Sequence, residues 1–214
     1  MKKAFGLDVP VSLEDILEPN HLALLVYDMQ VGIAGRVPGG EAFIPKVRKV
    51  LDAARGAGVR VFFCRHMTLP NEVAGVSQLR GSMALQRVAE PADVEPNFLR
   101  DSPGFPIVSE LEPLPSEAVF DKLTMSAFVG SLLDFAWRDA GVRAFAVVGA
   151  VLELGVEPTV RHGADLGYFP VVIEDACYSF SPEAKSGSLN AARRLGAVTD
   201  SDTFAASLRR TVKA

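Results

Sequence analysis

Short apolar runs with no internal alternation restrict this chain more than any other feature. Residues 22–27, Leu-Ala-Leu-Leu-Val-Tyr, are apolar throughout and stop at Asp28. A strand with one wet face would alternate, and a buried helix would run longer. The pattern fits a strand covered on both faces, as in a parallel sheet. Runs at 59–64, 143–148 and 169–174, and a shorter one at 117–121, read the same way. Helical patterns separate them. Residues 41–57 place Phe43, Val47, Val50, Leu51 and Ala54 at helical spacing and end at Gly56 and Gly58. Residues 130–140, around Leu132, Leu133, Phe135 and Trp137, end at Gly141; further helices are predicted over 155–166 and 182–195, and Val198 begins a last short strand. Strand and helix in alternation mean βαβ units. The predicted class is α/β: a three-layer α/β/α sandwich around a central, mainly parallel sheet.

A length of 214 residues suits one core. Residues 1–20 read as an irregular lead-in with a short helical piece from Ser12 to Leu17, and residues 21–214 as a single domain. The stretch 67–106 has no clear period and carries Pro70, Pro91, Pro96, Pro103 and Pro106, which predicts a lid or interface segment with short helices. Hydrophobic residues at 49% and charged residues at 22% exclude a disordered chain. A net charge of −4 gives no electrostatic footprint for nucleic acid or an anionic membrane. No apolar stretch reaches the ~18 residues of a membrane span. Cys64 and Cys177 both lie in apolar surroundings, so a disulfide framework is not expected. The expectation is a soluble, cytoplasmic protein, with neither nucleic acid nor membrane as partner.

In open parallel sheets, ligands bind beyond the carboxyl ends of the strands. That rule selects Asp28, Arg65, His66, Lys122 and the stretch from Gly149 to Gly155. Asp28 alone would ordinarily be a turn or helix cap. Lys122 alone would be solvated, but a lysine beside a carboxylate at neighbouring strand ends can tune proton transfer. The segment from Gly149 to Arg161 runs from strand to helix, and free N–H groups there can hold an oxyanion; ordinary strand–helix packing is the competing explanation. His162 falls inside a helix and reads as structural or interfacial. Asp28, His66 and His162 lack metal-ligand spacing, so neither metal nor cofactor is expected.

These segments resemble a known family. Leu24 to Gln30, with Asp28-Met29-Gln30, is similar to the Asp-Met-Gln motif of isochorismatase-like hydrolases. Lys122 with Ser126-Ala127-Phe128 resembles their Lys…Ser-Ala-Phe motif, and Gly149 to Arg161 with Asp165 to Tyr168 and Asp175-Ala176 their third. The likeness extends from about residue 20 to residue 204. It implies an Asp–Lys–Cys amidase site, with Asp28 as base, Lys122 in support, backbone donors near Val151 and Gly155, and a cis peptide near Ala150-Val151. The cysteine position, however, falls on Gly155. Glu153 stands where amidases often carry Asp. The isochorismatases of siderophore and phenazine pathways also carry Gly at this point and cleave a vinyl ether without a covalent intermediate. In that branch a Gln stands where this chain has His66, and aromatic and basic residues stand in place of Leu123, Thr124 and Met125.

The resemblance therefore implies a hydrolase that works without cysteine. Asp28 and Lys122 would act with water as nucleophile, and backbone N–H groups of Val151 and Gly155 would hold developing charge. Arg65, His66, Phe128 and Glu153 are the expected substrate contacts. The bond broken would be a vinyl ether or the C–N bond of an amide or lactam. A catalytically inactive small-molecule binder is the alternative, and a purely structural subunit ranks behind both. By the same analogy the chain would form a homodimer or homotetramer.

Overall fold

The computed structural model describes residues 1–35 and 37–213. Its frame is a six-stranded sheet, formed by β3 (Leu22–Tyr27), β4 (Arg60–His66), β5 (Ala118–Lys122), β6 (Ala144–Gly149), β7 (Phe169–Cys177) and β8 (Ala197–Thr199). The strands run in the order β5-β4-β3-β6-β7-β8, and every neighbouring pair is parallel. Before the sheet come a hairpin, β1 (Lys2–Ala4) with β2 (Leu7–Val9), and a one-turn helix α1 (Leu13–Ile16) closed by a Ser12–Asp15 capping box. The lead-in is thus more ordered than its sequence predicts. Phe5 and Gly6 both take positive φ, which is the geometry a two-residue hairpin turn needs.

Strand β3 shows why the apolar runs are continuous. Its six residues are all buried, but alternate side chains enter opposite cores. Leu22, Leu24 and Val26 pack with Val47, Val50 and Leu51 of α2 (Gly40–Gly56) and with Phe204 and Leu208 of α7 (Ser201–Lys213). Ala23, Leu25 and Tyr27 pack with Leu133 and Trp137 of α4 (Leu133–Asp139), Val160 of α5 (Glu157–Asp165) and Leu189 of α6 (Pro182–Leu195). Each buried Leu or Val contributes roughly 1.5–3 kcal/mol, so both faces of the sheet must be covered. The result is the three-layer sandwich. Helix α7 was not anticipated from the sequence; Asp200 begins it by accepting the Thr203 N–H at 2.8 Å.

Two further departures bear on the site. The helix predicted over 155–166 is divided, with a wide π-type turn at Leu152–Val156 preceding α5. The stretch 67–106 contains α3 (Val76–Gln86), which buries no side chain. Carboxamides hold this segment instead. Gln78 accepts from the N–H of Leu69 at 3.0 Å and donates to its carbonyl at 2.8 Å; Gln86 does the same with Glu95 at 3.0 and 2.8 Å. Asn71 donates to the Val94 carbonyl at 2.7 Å.

From β3 the chain crosses to β4 on one side, and β6 lies on the other. The topological switch point therefore falls at the carboxyl ends of β3 and β6, at Asp28 and Gly149. Gly149 has φ +130 and lies against the Tyr27 backbone, where a Cβ would come inside 3.0 Å of the carbonyl oxygen. Only glycine suits that crossing.

Candidate active site

At this switch point the sheet opens into a cavity of about 510 Å³. Its floor carries Tyr27, Asp28, Ala150, Val151 and Gly155. His66, Phe98 and Met125 form part of its walls, with residues of the 96–104 stretch. Asp28 leaves β3 with φ +48, a left-handed conformation that Asp tolerates better than most residues. Its N–H donates to the Cys64 carbonyl at 3.1 Å, and the residue is only 5% exposed.

Lys122 ends β5, two strands away, where it lies in register with His66. Neighbouring strands lie roughly 4.8 Å apart, so the long lysine side chain spans β4 and reaches the end of β3. Its Nζ donates to Asp28 Oδ2 at 2.8 Å and to the Thr124 carbonyl at 3.1 Å. It also sits 4.2 Å from the centroid of the Tyr27 ring. The lysine side chain is fully buried. Asp28 and Lys122, at two separate strand ends, are thus one buried ion pair, with Asp28 on the cavity floor and Lys122 behind it.

The backbone of the third motif has the cis peptide that the resemblance implied, between Ala150 and Val151. Val151 and Gly155 both line the cavity. Their N–H groups differ. Gly155 donates to the Val151 carbonyl at 2.9 Å, inside the π-type turn, so its N–H is not free to hold an oxyanion. The Val151 N–H has no acceptor among the described residues.

The expected substrate contacts separate in the same way. His66 lines the cavity, edge-on to Phe98 with ring centroids 5.7 Å apart. Burial lowers its pKa below the ordinary 6.5, aided by Lys122 and opposed by Asp28, so the imidazole is neutral at pH 7. Arg65 does not reach the cavity. Successive strand residues face opposite ways, and its guanidinium pairs with Asp121 at 2.8 Å and lies 4.4 Å from the Phe105 ring centroid. Phe128 also lies away from the cavity, in an aromatic core stacked on Tyr168 at 5.7 Å and edge-on to Trp137 at 5.4 Å. Glu153 is not in the cavity lining and accepts from the Phe180 N–H at 2.9 Å, which positions Phe180 on the rim. His162 meets Ser126 Oγ at 3.0 Å and the Phe128 ring, a structural role.

Three residues gain roles here that the sequence did not assign. Gln30 is fully buried; it accepts the His66 N–H at 2.6 Å and donates to the carbonyls of His66 and Phe105, each at 3.0 Å. It ties the end of β4 to the cavity wall. Cys64 Sγ approaches Asp28 Oδ1 at 3.5 Å. Burial, followed by the Asp28 charge, pushes this thiol well above its ordinary 9.0. Cys177 is pushed to about 12, chiefly by burial. Neither thiol lines the cavity, and thiolates are the reactive form. Tyr27, read from sequence only as the sixth apolar residue of its strand, forms part of the cavity floor. Among the described residues, no group of three His, Cys, Asp or Glu side chains is placed to hold a metal ion.

A parallel sheet in this order, with an Asp–Lys pair at its switch point and a cis peptide beside it, defines a recognisable class. The chain belongs to the isochorismatase family, whose domain model matches residues 22–203. It is similar to the ureidoacrylate amidohydrolase RutB of Stutzerimonas stutzeri (strain A1501), with 31% identity over 92% of this chain and 88% of that protein. The ureidoacrylate amidohydrolase RutB of Rhizobium rhizogenes is 29% identical over 85% of this chain and 80% of its own. Among solved structures, a cysteine hydrolase from Pseudomonas syringae pv. phaseolicola superposes with a TM-score of 0.78 at 22% identity, covering 99% of this chain and 100% of that one. An isochorismatase family protein from Burkholderia thailandensis gives 0.73 at 26% identity, covering 89% and 96%.

Proposed function

We propose that this protein hydrolyses a small molecule by direct attack of water, without a covalent enzyme intermediate. The observation that carries the reading is the buried Asp28–Lys122 pair, whose Asp28 lines a cavity where position 155 has no side chain. Relatives named as amidohydrolases support hydrolysis as the reaction. The carboxylate has lone pairs left after its bonds to Lys122 and Cys64, so it can accept a proton from a bound water. That water attacks the scissile carbonyl carbon of an amide or lactam. The developing oxyanion takes the N–H of Val151, and the proton held by Asp28 then passes to the leaving nitrogen. Lys122 holds the carboxylate in place and balances its charge. A general base of this kind contributes roughly 10²–10⁴ in rate. An ion-paired carboxylate suits the base of this scheme better than the acid that vinyl-ether cleavage requires, which favours the C–N bond.

The lining also speaks to the substrate class. Ile33, Val37, Leu85, Phe98, Met125 and Leu154 make the cavity largely apolar. His66, Asn97 and Ser102 supply uncharged polar groups. A small neutral amide, lactam or cyclic imide fits this lining. We extend the proposal to a homo-oligomer in a reducing, cytoplasmic setting, supported by the two buried free thiols and by family analogy.

A hydrolysis screen over small amides, lactams, cyclic imides and isochorismate tests the reading, with Asp28→Asn and Lys122→Ala beside the wild type. Turnover lost in both variants and unaffected by thiol alkylation is the expected result. The second reading, a binder without turnover, draws on the fact that both Asp28 oxygens already have partners. No turnover on any class, with one compound still raising the melting temperature, would decide for it.

A further inference from the structure

We propose that Tyr27 takes the place of the missing side chain at position 155, so that Tyr27 and Gly155 form a matched pair that keeps a nucleophile out of this cavity. A Cβ built on Gly155 would come inside 3.0 Å of three Tyr27 atoms, the hydroxyl oxygen, Cε1 and Cζ. Real Cβ atoms essentially never approach that closely. Gly155 needs no unusual φ, so the requirement for glycine here is purely one of space.

The ring cannot easily step aside. It is 1% exposed, and its hydroxyl donates to the Met125 carbonyl. Lys122 Nζ lies over one face. Its backbone carbonyl accepts the Ala150 N–H at 3.1 Å. Moving the phenol would disturb the Lys motif, the ion pair and the turn that begins at Ala150 together. Overpacking of such a site is destabilising.

Tyr27 is a specificity-determining residue on this view. Its hydroxyl sits where a residue-155 side chain would project, so the substrate meets a phenol where a thiol would stand. Burial and the neighbouring Asp28 charge raise the phenol well above its ordinary value. It therefore remains O–H, a hydrogen-bonding group and not a phenolate nucleophile. The loss of covalent chemistry is then built into two residues on different elements, and restoring the thiol alone would not reverse it.

The functional meaning rests on the proposed reading of this cavity as a reaction site. The steric pairing does not, and its test reads stability and labelling instead of turnover. Gly155→Cys, Tyr27→Val and the double variant are compared by melting temperature and by native-state alkylation with iodoacetamide, located by peptide mass. Cys64 and Cys177 are buried and give a silent background. Gly155→Cys alone should lower the melting temperature by roughly 5 °C or more. In the Tyr27→Val background the same change should cost little, and the introduced thiol should label readily. Tyr27→Phe should give no rescue, because the clash with Cε1 and Cζ remains. If the cysteine variants are insoluble, Gly155→Ala is measured in both backgrounds by the same criterion. Equal loss in the wild-type and Tyr27→Val backgrounds would overturn the pairing. So would a single Gly155→Cys variant that melts with the wild type and labels as fast as the double.

Discussion

Removing one member of the Asp28–Lys122 pair should cost far more than removing both. At 2.8 Å and an effective dielectric of ~20, the attraction is about 6 kcal/mol. Desolvation of two ions offsets much of it, because the lysine side chain is wholly buried and the aspartate nearly so. Each single change leaves one charge buried without its partner. Lys122→Met strands the Asp28 carboxylate beside the Cys64 thiol; Asp28→Asn leaves the ammonium with only the Thr124 carbonyl and the Tyr27 ring. Asn is chosen because it tolerates the positive φ at position 28. Each single variant should lose about 3–5 kcal/mol, or roughly 10 °C in melting temperature for a chain of this size. The double variant Asp28→Asn/Lys122→Met should lose only ~1–3 kcal/mol, giving a coupling of about 3 kcal/mol or more. Guanidinium unfolding followed by the fluorescence of Trp137, the one tryptophan and fully buried, measures all four proteins. Single variants within ~1 kcal/mol of the wild type, or losses that simply add, would refute the reasoning.

Three other expectations follow from the same geometry. His66 is held neutral below its ordinary 6.5 by burial, so in acid the unfolded chain takes up its proton more readily. The stability from this residue is complete above pH 6.5 and declines as the pH falls toward the lowered folded value; melting curves should show a steeper acid decline in the wild type than in His66→Gln. Iodoacetamide at neutral pH should leave Cys64 and Cys177 unmodified in the folded protein, and labelling of Cys64 with loss of activity would contradict the buried placement of that thiol. Gly149→Ala should lower the melting temperature sharply or abolish soluble expression, whereas Gly187→Ala, with open space around it inside α6, should stabilise by ~0.5–1 kcal/mol.

How much of this could be read from the sequence depends on which signals are local. The strands were legible because burial on both faces leaves an uninterrupted apolar run, as at 22–27. Asp28 and Lys122 were legible as polar residues ending such runs. Their contact was not, because it depends on parallel register across β4. Arg65 and His66 illustrate a parity problem. Both follow the predicted end of the strand at 64, but β4 continues to His66, and strand geometry sends the two side chains in opposite directions. The hairpin at the amino end was obscured because all six of its strand residues are exposed and Phe5 takes a φ unusual for a bulky residue. Tyr27 escaped notice because a tyrosine ending an apolar run looks like core. Only the fold reveals that its hydroxyl occupies the space a side chain 128 positions later, at Gly155, would need.

The carboxamide bonds that hold the 67–106 segment have a consequence for how the cavity yields under stress. Floor and wall are fastened by different physics. The floor rests on a charged pair set in a dense apolar core, whereas part of the wall hangs on Gln78, Gln86, Asn71 and Gln30, each bonding to backbone groups. Amides carry no charge and do not respond to salt as ions do. Urea competes directly for such bonds, and α3 buries no side chain to resist it. The wall should therefore open in urea as a local unit, before the sheet and its ion pair.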